Sequence, residues 1–209
     1  MTKRLKSKFH ICKKLKGSYS NVWGLPKGDL LRSIKGQNKG RKKISVYGKL
    51  LDVKQCLKIF YSNVQERSFK RNLLRSMQSR LTTLDRFISL LESRLDVVLF
   101  RSNFSSSLHE SRQMISHGIV KINDKRVYNS GFKVSKLDVI EISKDLLKKE
   151  LTINSHLSSV KSNFISRSLP SHLEIDYKTL SIVFLWDPSY RDVYYPVKSD
   201  YQVIQRFYK

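Results

Sequence analysis

The chain contains no alanine at all in 209 residues, and only 17 acidic residues, two cysteines and four prolines. Each shortage excludes something. Cys12 and Cys56 stand alone, without Cys-x-x-Cys spacing, so neither a disulfide framework nor a structural zinc site is encoded. His10 beside Cys12 is a poor metal pair, and no metal or other cofactor is expected. The longest apolar runs, such as Ile182 to Trp186, fall far short of the ~20 residues that span a bilayer, so the chain does not read as an integral membrane protein. There is no Gly-rich phosphate loop ending in Lys-Ser or Lys-Thr, no His-Glu-x-x-His and no Gly-x-Ser-x-Gly. Catalysis therefore has no visible home, and neither an enzyme nor a small-molecule substrate is expected. The missing alanine, set against plentiful Lys, Ser, Leu, Ile, Phe and Tyr, is the skew of a genome rich in A and T, which suggests an organelle or a reduced genome.

What is present is positive charge. Lys and Arg number 41, for a net charge of +24. Such an excess opposes compaction by self-repulsion unless a polyanion neutralises it, and nucleic acid is the leading partner on charge alone. The 40% of hydrophobic residues suffices for a modest core. From Met1 to Lys43 there are 14 Lys or Arg and one acid, Asp29, interrupted by six glycines or prolines that leave no hydrophobic period. Blocks of this kind order against phosphates on binding. Val22, Trp23, Leu25, Leu30 and Leu31 read as anchors within it. The first sixteen residues suit a transit peptide and an RNA-binding tail equally well.

Beyond this extension the pattern becomes regular. Tyr47 to Met77 carries Leu50, Leu51, Leu57, Phe60, Tyr61, Val64 and Phe69 at helical intervals, which predicts two amphipathic helices broken near Ser62 and Asn63. Their polar faces hold Lys54, Lys58, Arg67, Lys70, Arg71 and Arg75. Thr83 to Arg101 has an apolar stripe, Leu84, Phe87, Ile88, Leu91, Leu95 and Val98, that predicts one helix. On it Arg94 and Arg101 lie two turns apart, a reach of about 10 Å that lets both meet phosphates of one backbone. Ser107 and Glu110 form a Ser-x-x-Glu capping box, and Gly118 stands where a C-terminal cap belongs. The short helix between them turns Leu108, Ser111 and Ile115 to the core, and Arg112, Gln113, Ser116 and His117 away from it. Asn123-Asp124-Lys125 signals a tight hairpin from which Lys121, Lys125 and Arg126 project, and Leu137 to Ile142 alternates as a strand. Residues 144–169 read as a linker or lineage-specific insertion. Strand character returns in LEIDYKTLSIVFLW, and the Tyr-rich end packs back on the core or on RNA bases.

The residues SRLDVVLFRSNF, ESRQMISHGIVKINDKRVY and KVSKLDVIEI, in that order, resemble the RNA-binding module of the small-subunit ribosomal protein four family, with Arg94-Leu95-Asp96, Ser111-Arg112-Gln113 and Ser116-His117 carrying the likeness. That module is shared with pseudouridine synthases, some tRNA synthetases and heat-shock RNA binders. The flanks decide among them: KGQNKGRKKISVYG, LLDVKQCLKIFY and PSHLEID each resemble segments of the ribosomal family. The likeness weakens before Leu31, between Ser62 and Thr82, and from Lys144 to Leu169, and the four-cysteine zinc cluster of some family members is absent.

The resemblance implies an α+β fold: a basic rRNA-binding extension over 1–46, a helical region over 47–88 rejoined by C-terminal strands over 170–209, and an inserted helix-helix-strand module over 89–143. It implies a structural constituent of the small ribosomal subunit that binds small-subunit rRNA at a multi-helix junction, assists assembly, adjoins neighbouring small-subunit ribosomal proteins and lies near the entry side for mRNA. The RNA-binding residues it implies are Arg94, Arg101, Arg112, Gln113, His117, Lys121, Lys125 and Arg126, with Gln37, Arg41, Lys42, Lys43, Lys54 and Lys58 as an N-terminal clamp. The missing alanine, the basic composition and the divergent stretch after Lys144 together favour a mitochondrial ribosome over a plastid or bacterial one. Two alternatives use the same module: a stand-alone quality-control RNA binder, and an RNA-modifying enzyme of the pseudouridine synthase kind.

Overall fold

The computed structural model describes residues 45–143, 169–196 and 201–208. Gln37, Arg41, Lys42 and Lys43, the basic extension and the 144–168 stretch lie outside the described residues. The chain divides into two compact units, Met1–Leu74 with Tyr195–Lys209, and Arg75–Tyr194.

In the first unit, helix α1 (Val46–Phe60) is capped by the Ser45 hydroxyl, which accepts from the Gly48 N–H. The break expected near Ser62 and Asn63 is there. Both residues take left-handed backbone angles, φ 58° and 55°, which the right-handed helix cannot accommodate, and the chain restarts as α2 (Glu66–Met77). Leu57, Tyr61 and Phe69 are buried, and the C-terminal end returns to them. Tyr195 packs edge-on against Phe60, and its hydroxyl shares a 2.5 Å hydrogen bond with that of Tyr61. The last short helix, α6 (Ile204–Tyr208), lays Phe207 on Tyr47 with ring centres 5.5 Å apart. Cys56 is buried beside this cluster. Burial pushes its thiol up to about 12, against a hydrogen bond with Tyr201 that lowers it, so it stays a neutral packing group.

The second unit holds α3 (Thr83–Glu92), α4 (Leu95–Arg101) and α5 (Leu108–Ser116), followed by strands β1 (Val120–Ile122), β2 (Lys125–Arg126), β3 (Val139–Ile142), β4 (Leu173–Asp176) and β5 (Ser181–Phe184). The single helix expected from Thr83 to Arg101 is two helices. At the break, Ser93 to Asp96 is engaged by the 130–134 segment: Val134 N–H donates to the Ser93 carbonyl, Leu95 N–H to Phe132, Asp96 N–H to Ser130, and Arg94 pairs with Lys133 as an isolated antiparallel bridge. These bonds replace the helical ladder while the apolar stripe continues through them, so periodicity alone could not reveal the break.

All five strands form one antiparallel sheet in the order β2-β1-β3-β5-β4. The C-terminal segment is thus divided, Tyr195 and residues 201–208 returning to α1 while β4 and β5 belong to the second unit. These two strands extend the module's own sheet through β3–β5 pairing, because Ile140 and Ile182, and Val139 and Val183, lie opposite one another. One face of this sheet, carrying Val120, Ile122, Ile140, Ile182 and Phe184, closes on Leu95, Leu99, Phe104 and Ile115 from the helices. Each such fully buried side chain contributes about 1.5–3 kcal/mol. The other face carries polar and charged residues, Lys121, Glu141 and Glu174 among them. No helix among the described residues is long and apolar enough to cross a membrane.

Candidate nucleic-acid interface

Helix α5 and the β1–β2 hairpin adjoin in sequence, and local chemistry fixes the join. The Ser107 hydroxyl accepts from the Glu110 N–H at 3.3 Å, half of the expected capping box. The other half is displaced by one residue, since the Glu110 carboxylate accepts from the N–H and hydroxyl of Ser106. At the far end Gly118 has φ +70° and the Ile119 N–H reaches back to the Met114 carbonyl, the six-to-one bond of a Schellman cap. A Cβ at Gly118 would lie 2.7 Å from the Tyr128 ring, so two separate demands call for glycine there. The hairpin turns on Asn123 and Asp124, φ 46° and 66°, a two-residue loop of the kind that matches strand twist. The Asn123 amide donates to the Asp138 carboxylate at 2.9 Å and its carbonyl accepts from the Val139 N–H, which ties the loop to the start of β3.

This scaffold buries Leu108, Ser111, Met114 and Ile115 and leaves Gln113, Ser116 and His117 exposed. Ser111 occupies a fully buried position where its hydroxyl bonds that of Ser105 at 2.6 Å. On the hairpin Lys125 and Arg126 are exposed, Lys121 is half-buried, and Lys121 stands directly opposite Arg126 across the ladder. None of these three forms an ion pair among the described residues. Like charges placed opposite one another on a strand pair destabilise it. Lys121 also stands opposite Glu141 on β3, which offsets part of that repulsion, and a polyanion laid along the hairpin would offset the rest.

The other expected site residues are engaged within the protein. Arg94 and Arg112 share one carboxylate: the Arg94 Nε and Nη2 donate to Asp96 at 3.0 and 2.8 Å, and the Arg112 Nε donates to the same Oδ2 at 2.8 Å. Asp96 is fully buried. Arg101 grips Glu92, also fully buried, through two bonds of 3.1 and 2.7 Å, and donates to the Tyr194 carbonyl. Arg94, the N-cap, and Arg101, the last residue, stand at opposite ends of α4 and are drawn to different buried acids, because an unpaired interior carboxylate costs several kcal/mol.

In the first unit Lys54 and Lys58 both donate to Glu66, at 3.0 and 2.6 Å, and Tyr208 bonds the same carboxylate. Partial burial disfavours the Glu66 charge, but the hydrogen bonds from Lys58, Tyr208 and Lys54 outweigh it and bring the carboxyl down to about 2. The Lys54 ammonium also lies 3.9 Å above the Phe207 ring. Sequence reasoning missed these assignments because the partner acids stand 2 to 16 residues away. It also passed over Lys133 and Lys136, exposed in the segment facing α4. Among the described residues no group of three His, Cys, Asp or Glu side chains is placed to hold a metal.

Comparison with known proteins adds to this geometry. The S4 domain family matches residues 93–140, the span that holds α4, α5, the hairpin and the start of β3. A small ribosomal subunit protein uS4 from Pelagibacter ubique (strain HTCC1062) is 34% identical over 212 aligned residues, covering all of this chain and 99% of that protein. Proteins of the same name from Acidiphilium cryptum (strain JF-5) and Rhodopseudomonas palustris (strain TIE-1) are 34% and 33% identical, again across the whole of this chain and 99% of theirs.

Proposed function

The chain belongs to the family of the small ribosomal subunit protein uS4, and from that membership we propose that it is a structural constituent of a small ribosomal subunit that binds small-subunit rRNA. The observation that carries this reading is the extent of the likeness. It runs the full length of the chain and of its relatives, well beyond the 93–140 domain that unrelated RNA binders could share. The geometry agrees with it. Helix α5 carries exposed Gln113 and half-buried Arg112 and is closed by exposed His117, and the hairpin that follows it carries exposed Lys125 and Arg126 and half-buried Lys121. Lysine and arginine neutralise phosphates with salt-dependent affinity, while the amide and imidazole groups add hydrogen bonds of defined direction.

The finer reading places the protein at a multi-helix junction of the rRNA, near the entry side for mRNA and beside other small-subunit proteins. In it Gln37, Arg41, Lys42 and Lys43 form a clamp with the first unit, and Lys54 and Lys58 serve that clamp from their shared carboxylate. The compartment in this reading is the mitochondrion, on the strength of the missing alanine, although the relatives named above are bacterial. The work needs no catalysis. Sedimentation of the tagged protein from its native cell tests the reading. Stoichiometric migration with the small subunit through a high-salt sucrose gradient is expected. Migration as free protein or with the large subunit would replace it with a stand-alone RNA-binding factor, and purification with the plastid or bacterial ribosome would reassign the compartment.

A further inference from the structure

Asp96 carries the sign of the RNA it stands behind, and it is buried at the point where α4, α5 and the 130–134 segment meet. Its two oxygens take three hydrogen bonds from two guanidinium groups, one at the N-terminus of α4 and one on α5. The Arg94 Nη2 and the Arg112 Nε both lie 2.8 Å from Oδ2, so the two cations sit closer than their mutual repulsion would allow without an anion between them. Arg94 is the more deeply held, with 14% of its side chain exposed. Arg112 keeps 28% exposed and stands one residue before the exposed Gln113.

We propose that Asp96 is a positioning residue for RNA: through its shared oxygen and the Arg94 brace it fixes the Arg112 guanidinium in the plane needed to meet one backbone phosphate on the α5 face. This rests on the rRNA-binding reading above and goes beyond it, since it assigns a contribution to affinity to an acid. An arginine left to wander over its rotamers loses the entropy of ordering when it binds; one already pinned by its Nε has lost that entropy on folding. Arg94 is then a brace whose own charge is largely spent on Asp96.

The two explanations of Asp96 diverge in sign. If charge alone matters, Asp96→Asn raises the net charge by one and binds RNA at least as tightly. If Asp96 positions Arg112, the same change weakens binding. The experiment uses the full chain and two probes, a small-subunit rRNA transcript and polyuridylate, titrated from 0.05 to 0.5 M KCl. For Asp96→Asn the expected result is about fivefold weaker rRNA binding at 0.1 M salt, a salt slope shallower by about 0.7, and polyuridylate binding unchanged or tighter. Arg112→Gln should give the same loss, and the double variant no further loss. Arg112→Lys leaves the helix and the charge intact and tests the idea even if Asp96→Asn does not fold. It should bind rRNA as weakly as Arg112→Gln, because an ammonium cannot grip Asp96 and a phosphate in one plane. Wild-type affinity in Arg112→Lys, additive losses in the double variant, or tighter rRNA binding by folded Asp96→Asn would each overturn the proposal. Equal wild-type affinity for rRNA and polyuridylate would remove the rRNA-binding reading itself, and this inference with it.

Discussion

Replacing Lys121, Lys125 and Arg126 together with glutamine should remove RNA affinity while leaving the fold in place. Lys125 and Arg126 are exposed, Lys121 is half-buried, none has an ion-pair partner among the described residues, and the turn they flank is held by Asn123 and Asp138, which stay. Stability should therefore change by less than about 0.5 kcal/mol, since relief of the Lys121–Arg126 repulsion is set against loss of the Lys121–Glu141 attraction across the ladder. If each cation neutralises one phosphate, each accounts for about 0.7 in the slope of log affinity against log salt, so the triple variant loses about 2. At 0.1 M salt that is roughly fivefold for each contact and about 100-fold for the three. A built-in control stands at the other edge of the same sheet. Lys178 lies in the turn between β4 and β5, and β4 is four strand spacings from β2, roughly 19 Å, about two Debye lengths at physiological salt. Lys178→Gln should therefore change affinity less than twofold. Filter binding of a small-subunit rRNA transcript across a KCl series reads both affinity and slope. A triple variant that melts like wild type and keeps its affinity and slope would show that RNA does not lie on the hairpin.

Three further outcomes follow from other parts of the fold. Gly118→Ala should cost about 1–2 kcal/mol for the left-handed backbone alone and more for the contact with the Tyr128 ring; pairing it with Tyr128→Ala should recover only the second part, as read by thermal unfolding. His172 is fully buried against Phe184, with no hydrogen-bond partner for either ring nitrogen among the described residues. Burial lowers its pKa, Glu92 and Asp192 pull it up, and Arg101 pushes it down. The folded state thus binds fewer protons there than the unfolded state. Stability should be full above about pH 6.5 and fall as the pH drops below it; His172→Leu should flatten that slope and keep stability at pH 8 within about 1 kcal/mol, measured by urea titration at each pH. Glu66, held at about 2, contributes stability that is present above its ordinary range near 4.5 and is lost as the pH falls from there toward 2. Because its side chain is nearly half exposed, Glu66→Gln should cost only about 1 kcal/mol at pH 7, and acid unfolding should become correspondingly shallower.

The helices and strands were legible where one local signal decided them. Ser107 and Gly118 bound α5, Asn123 and Asp124 make the hairpin, and the alternation over Val139 to Ile142 shows as exposed-buried-exposed-buried. What was not legible depended on residues distant in sequence. The break at Ser93 comes from the 130–134 segment taking its backbone hydrogen bonds, and nothing between Thr83 and Arg101 announces it. The strands after Pro170 were recognisable as strands, but their pairing with β3 is a long-range choice made by Ile182 meeting Ile140. The family likeness identified Arg94, Leu95 and Asp96 as a unit without saying that the acid of the trio holds both Arg94 and an arginine sixteen residues further on.

In so basic a chain the acids are the more informative residues. With 41 cations, proximity to RNA is poor grounds for choosing among them, since nearly every surface segment carries some. The 17 acids are few enough that each buried one decides the fate of particular cations: Glu92 takes Arg101, Asp96 takes Arg94 and Arg112, and half-exposed Glu66 takes Lys54 and Lys58. Arg101, held by fully buried Glu92, is first of all part of the fold, and its loss strands a charge in the interior, which is costly, whereas loss of Arg112 leaves Asp96 paired with Arg94. A cation with no such partner has only solvent or a polyanion to answer its charge. Neutral substitutions should therefore sort into two groups. Arg101→Gln should lower stability well before it lowers the affinity of the protein that remains folded, whereas Lys125→Gln should lower affinity alone. Melting temperature and rRNA affinity measured on the same preparations separate the groups, and a single line relating the two quantities across all these variants would refute the division.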